Sequence, residues 1–258
     1  MEILLLANAI YSGDTTSLSR ITAASQAFSS DVTIPGAYRA EAEAAFEFSQ
    51  ANTQGKSAND AAAALEAVAR SLIRDYPDQA PGYLSLLTQA LQRDNATART
   101  MAAEVVNSPA PENVQADARR LMNRLDLVGQ RIDKVLGPAL NQDAKAGWQE
   151  GKPTLIYFWA SWSPDSLALG QMLAGRKLSA VNLVGICLDK NAASAAAVAA
   201  TLQLPGQLIY VHGGMDDPLV VHLGAAGTPL VYLTDAQDIV TDVRAAENLS
   251  AKLSAVGL

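Results

Sequence analysis

The chain has 258 residues, 49% of them apolar and 17% charged, which suffices for a substantial core and for two domains. A net charge of −7 and a pI near 4.8 tell against nucleic acid and anionic membrane surfaces as partners, since both require clustered cations. The lone cysteine, Cys187, rules out an intrachain disulfide and a thiolate metal cage, and no run of apolar residues is long enough to span a bilayer.

From the N-terminus, Ile3 to Ile10 is apolar but short and follows Glu2 rather than a basic segment, so it does not read as a secretory signal. The first half is rich in alanine, leucine, glutamate and arginine, all good helix formers. It is punctuated at Ser12-Gly13-Asp14, Ile34-Pro35-Gly36, Gln54-Gly55-Lys56, Tyr76-Pro77-Asp78 and Asn107-Ser108-Pro109. A helix is predicted over 61–74, with Ser57 or Asn59 as its N-cap and Ala64, Leu65, Val68, Leu72 and Ile73 on one stripe. The next helix starts at Pro81 and is expected to bury Tyr83, Leu84, Leu87 and Leu91. Such spacing suggests paired helices, either a solenoid of tetratricopeptide type or a plain helical cap; no self-similar repeat is legible.

Near Leu125 to Gly129 the alanine-rich helical text gives way to apolar strands alternating with short helices. This predicts an all-α domain over 1–127 and an α/β domain over 128–258. Strands are expected at 155–159, 181–188, 208–211, 230–233 and 239–240. Helices are expected at 166–175, 192–202, 218–223 and 246–255. Cys187 falls inside the second strand, where a free cysteine behaves as a small, buried hydrophobe.

The most informative segment is Lys152 to Ser166, KPTLIYFWASWSPDS. A buried strand runs into Trp159-Ala160-Ser161-Trp162, and Ser163-Pro164-Asp165-Ser166 then opens a helix. Further on, Gly227-Thr228-Pro229 precedes another strand. Together these motifs resemble the thioredoxin-like superfamily, and within it the TlpA-like thiol–disulfide oxidoreductases, whose usual text is W-A-x-W-C-x-x-C. The resemblance covers roughly residues 128–258. It implies a central mixed sheet flanked by helices, a cis Thr228–Pro229 bond facing the helix tip, and a protein thiol or disulfide as substrate. It calls for no cofactor and no metal. It places Ser163 and Ser166 at the positions of the catalytic cysteines. Trp162, Pro164, Asp165, Thr228 and Pro229 fall at the substrate-binding surface. A bacterial periplasm or cell envelope is the compartment that the resemblance favours, with the cytoplasm as the alternative.

Serine changes the chemistry. Thiol–disulfide exchange needs a thiolate, and a helix N-terminus worth about 0.3–2 kcal/mol cannot ionise a hydroxyl. Ser163 is suited to capping the helix. A hydrolytic role would need a base in reach, and His212 and His222 lie far downstream outside any hydrolase motif. Asp165 reads as a partner of the helix dipole rather than a base. Asp216 and Asp217 read as an exposed turn rather than a cation site. No carboxylate stands out as a buried proton relay. Two functions stay open: an oxidoreductase whose two cysteines have been exchanged for serine, and a redox-dead thioredoxin-fold binding or scaffold protein that uses its helical half for protein contacts.

Overall fold

In a computed structural model of the chain, residues 23, 26–52, 58–132, 149–176, 178–243 and 249 are described. The chain divides into two compact units, Met1–Arg119 and Arg120–Leu258.

In the first unit, α1 (Gly36–Asn52), α2 (Ala58–Asp75), α3 (Ala80–Ala90) and α4 (Asn95–Val106) pack in succession, with α1 also meeting α3, and α5 (Glu112–Asp126) begins after them. The buried positions are mostly small, with Ala69 and Leu72 on α2, Ala98, Met101, Ala102 and Val105 on α4, and Val114 and Ala118 on α5. Small side chains let helix axes approach closely. The tightest point is Gly82, where an added Cβ would sit 2.8 Å from the Ile73 nitrogen and 2.9 Å from the Ala69 carbonyl oxygen. Pro81 occupies the first turn of α3, where its missing N–H costs nothing. Asp94 caps α4, accepting from the Ala96 and Thr97 amides at 3.0 Å each.

Two expectations need correction here. Leu84 is 44% exposed and Leu91, at the C-cap, is half-buried, whereas α3 buries Tyr83, Leu86, Leu87 and Ala90, the three-and-four stripe from Tyr83. Asn59 lies inside α2 and so is not its cap, while Ser57 lies outside the described residues.

The second unit is built on one five-stranded sheet. Its strands are β1 (Thr154–Trp159), β2 (Asn182–Cys187), β3 (Gln207–Tyr210), β4 (Leu230–Thr234) and β5 (Val240–Asp242). The spatial order is β3-β2-β1-β4-β5, with β1, β2 and β3 parallel and β4 antiparallel to both β1 and β5. β1 is central and buried at every residue, which explains its unbroken apolar text. The parallel pairs require crossovers, supplied by α6 (Pro164–Ala174) and α7 (Ala192–Leu202). The short α8 (Pro218–His222) follows β3.

Alternation along β1 sends Leu155, Tyr157 and Trp159 into one core with Leu173 of α6, Cys187 of β2, and Ala195 and Ala199 of α7. On the opposite face Phe158 meets Tyr232 edge-on, ring centres 5.0 Å apart. Two residues of α5 tie its last turns to this unit. Arg120 donates to the Met215 and Ala225 carbonyls at 2.9 and 2.8 Å, and Asn123 donates to the Val221 carbonyl. Gly224 (φ 64°) leaves room for that contact, because a Cβ there would lie 2.2 Å from the Arg120 carbonyl oxygen.

Every strand expected in this half is present, as are the helices at α6, α7 and α8, with ends shifted by a residue or two. The expected last helix over 246–255 falls almost wholly outside the described residues. Among the described residues no helix is long and apolar enough to cross a membrane.

Candidate functional site

The end of β1 and the start of α6 bring the singled-out residues together. After Trp159 the chain turns through Ala160-Ser161-Trp162, closed by the Ser163 amide donating to the Ala160 carbonyl at 3.1 Å. Ser163 is the N-cap of α6, with extended backbone (φ −110°, ψ 96°), and its Oγ accepts from the Ser166 amide at 3.4 Å. Pro164 fills the first helical position and Asp165 lies in the first turn, both exposed.

The two serines have different surroundings. Ser166 is fully buried, and its Oγ accepts from the Ala160 amide at 3.1 Å and donates to the Ser163 carbonyl at 2.9 Å. Ser163 is 7% exposed and meets Thr228, whose Oγ1 donates to the Ser163 Oγ at 2.7 Å. That bond carries the Gly227-Thr228-Pro229 segment to the tip of α6 across 65 residues of sequence. The Thr228–Pro229 peptide is cis, as expected.

Trp159 is buried, whereas Trp162 is 59% exposed. Trp162, Pro164 and Pro229 are thus exposed apolar side chains around the nearly buried Ser163. Among the described residues no histidine is hydrogen-bonded to Ser163. His212 and His222 are exposed, and the bonds at the Ser163 Oγ come from the Thr228 hydroxyl and the Ser166 amide, so neither histidine is placed as its base.

Asp216 faces Arg120 and Lys190, with N–O distances of 3.8 and 3.7 Å. Asp217 caps α8 by accepting from the Leu219 amide at 3.0 Å. No cluster among the described residues has the make-up of a metal site.

The sequence offered no buried carboxylate, yet Asp189 is one, 8% exposed just beyond β2. It accepts from the Ser161 amide at 2.8 Å, the Ser161 hydroxyl at 2.7 Å and the Cys187 thiol at 3.3 Å. An aspartate after a strand reads as a turn residue, and only the 28-residue separation from Ser161 closed by the fold reveals the contact. Cys187 is fully buried, and burial first, with the Asp189 carboxylate adding to it, pushes its thiol up to about 12. It is held as the neutral, unreactive form.

No family model matches the chain, and no curated protein matches it. It is similar to solved structures over rather less than half its length. One is the C-terminal domain of a protein assigned as a thiol–disulfide oxidoreductase from Bacteroides thetaiotaomicron, 19% identical, covering 43% of this chain and 80% of that one, TM-score 0.38. A thiol–disulfide oxidoreductase from Bacteroides fragilis is 18% identical over 43% of this chain and 87% of its own, TM-score 0.38. A secreted disulfide oxidoreductase from Mycobacterium tuberculosis is 22% identical over 41% of this chain and 83% of its own, TM-score 0.34. Fold and chemistry are therefore carried by this chain's own geometry. With its β3-β2-β1-β4-β5 sheet and with Ser163 at the tip of α6 against Thr228, the second unit has the thioredoxin-like fold.

Proposed function

We propose that the chain is a thioredoxin-fold protein of the thiol–disulfide oxidoreductase type that holds an extended segment of a partner protein without exchanging disulfides. Residues 128–258 supply the binding face, and residues 1–127 act as a helical protein-interaction module. The partner is a protein rather than a nucleic acid, and a bacterial envelope compartment fits the fold's usual setting.

The observation that carries this reading is the hydrogen bonding of the two serines. At Ser166 a single buried oxygen is 3.1 Å from one backbone donor and 2.9 Å from one backbone acceptor. Sulfur is a weaker acceptor, so a thiol would serve the Ala160 amide less well. The bonding of Ser166 to both backbone groups supports a site in which serine has a structural role. Trp162, Pro164 and Pro229 give the face apolar surface, and exposed tryptophans are the side chains that most often dominate protein contacts.

The test is an array of extended peptides probed with the full chain and with Trp162→Ala. Binding of apolar extended peptides, weakened roughly thirtyfold by Trp162→Ala, supports the reading, in line with a hot-spot residue worth about 2 kcal/mol. An array without signal, or signal indifferent to Trp162, contradicts it.

One feature favours a second reading, an active oxidoreductase with both cysteines exchanged for serine. Ser163 caps a helix opening on Pro164, a place where partial positive charge would stabilise a thiolate. Under it, the double substitution Ser163→Cys, Ser166→Cys reduces insulin disulfides in the presence of dithiothreitol. A correctly folded double variant that does not cycle would leave the binding reading alone.

A further inference from the structure

We infer that Asp189 is the positioning residue of the Trp162 face, a reading that rests on the binding role proposed for that face. The Ala160–Ser163 turn is gripped from two sides. From α6, Ser166 holds Ala160 through its amide and lies 3.3 Å from its carbonyl oxygen. From the end of β2, Asp189 holds Ser161 with both carboxylate oxygens, one on the amide and one on the hydroxyl. Trp162 follows directly on the Asp189-held Ser161, and its side chain is 59% exposed. The Asp189 grip is the shorter, with bonds of 2.8 and 2.7 Å against 3.1 Å from the Ala160 amide to Ser166, and it is largely removed from water.

Asp189 is itself aimed. The backbone bond from the Leu188 amide to the Trp159 carbonyl, at 2.9 Å, continues the β1–β2 ladder to the residue before it. The Cys187 thiol donates to its Oδ2 from within the strand. A carboxylate on a rigid strand end therefore fixes a turn that carries an exposed indole. Rigidity there lowers the ordering cost of binding, because the aromatic side chain is already presented when the partner arrives.

The test uses the full chain and needs no ligand for its first arm. Amide hydrogen exchange is followed residue by residue in Asp189→Asn, which leaves one acceptor oxygen where two served the Ser161 N–H and O–H, and in the milder Ser161→Ala. Ser161→Thr, which keeps both donors, serves as the conservative control. The expected result is that exchange at Ser161 to Ser163 speeds up at least about tenfold in Asp189→Asn and less in Ser161→Ala. The Trp162 indole gains motion by NMR relaxation, the β1 and β4 amides keep their protection, and Ser161→Thr behaves as the parent chain. Acceleration spread evenly over the sheet marks a merely structural role and overturns the inference, as does an unmoved Trp162 indole. In the second arm, the best peptide from the array binds more weakly to Asp189→Asn, through a faster off-rate. Unchanged binding beside a loosened turn overturns the inference for recognition. An array without signal overturns the binding reading instead, and the exchange pattern then decides the placement of Trp162.

Discussion

Replacing Ser166 by alanine removes one oxygen from a site with no access to water. The Ala160 amide loses its acceptor at 3.1 Å, and the Ser163 carbonyl loses a donor at 2.9 Å. An orphaned buried donor costs about 1–3 kcal/mol, whereas the carbonyl keeps its helical partner, the Leu167 amide at 3.1 Å, and adds little. The expected loss is about 2 kcal/mol. The assay is urea unfolding followed by tryptophan fluorescence. All three tryptophans of the sequence come at residue 148 or later, outside Met1–Arg119, so the signal excludes the helical unit. With a slope of about 2 kcal/mol per molar, the midpoint falls by about 1 M at unchanged slope. A midpoint within about 0.2 M of the parent would show that the hydroxyl is not structural, and the role assigned to Ser166 would fail.

Other consequences are open to measurement. In the second unit, burial holds the Cys187 thiol at about 12 and also raises Tyr157 and Tyr232, so each is neutral in the fold at pH values where it ionises in the unfolded chain. The unfolded state then binds fewer protons, so stability is full below about pH 8.5 and declines as pH rises toward 12. Cys187→Ala should flatten the start of that decline in alkaline denaturation; an identical profile would speak against it. Cys187 should also resist Ellman's reagent in native protein and react fully in guanidinium, and rapid native labelling would refute its burial. In the helical unit, Gly82→Ala forces a Cβ against the Ile73 and Ala69 backbone and should cost about 1–3 kcal/mol by circular dichroism melts, whereas Leu84→Ala should cost less than about 0.5.

The α/β half was legible because its strands are strongly marked. β1 is apolar at every position since both faces are covered, and Asp235 to Asp238 announces the β4–β5 turn through aspartate chemistry, with the Asp235 carboxylate accepting from the Gln237 and Ile239 amides. Ser163 was readable as a cap because capping is local. Asp189 was not, since its partner Ser161 is remote in sequence and nothing in a strand-end aspartate names it. Leu84 misled for the opposite reason. With Tyr83, Leu84, Leu86 and Leu87 all apolar, periodicity alone admits two stripes, and only the close approach at Gly82 selects the one through Tyr83.

The most direct test is an amide chemical-shift titration of the full chain with the best extended peptide from the array. Shifts centred on Trp162, Ser163 and Thr228, saturating at one peptide per chain with no covalent adduct by mass spectrometry, are the predicted result. Shifts lying elsewhere, or none at all, would contradict the account of the α6 tip as a binding face.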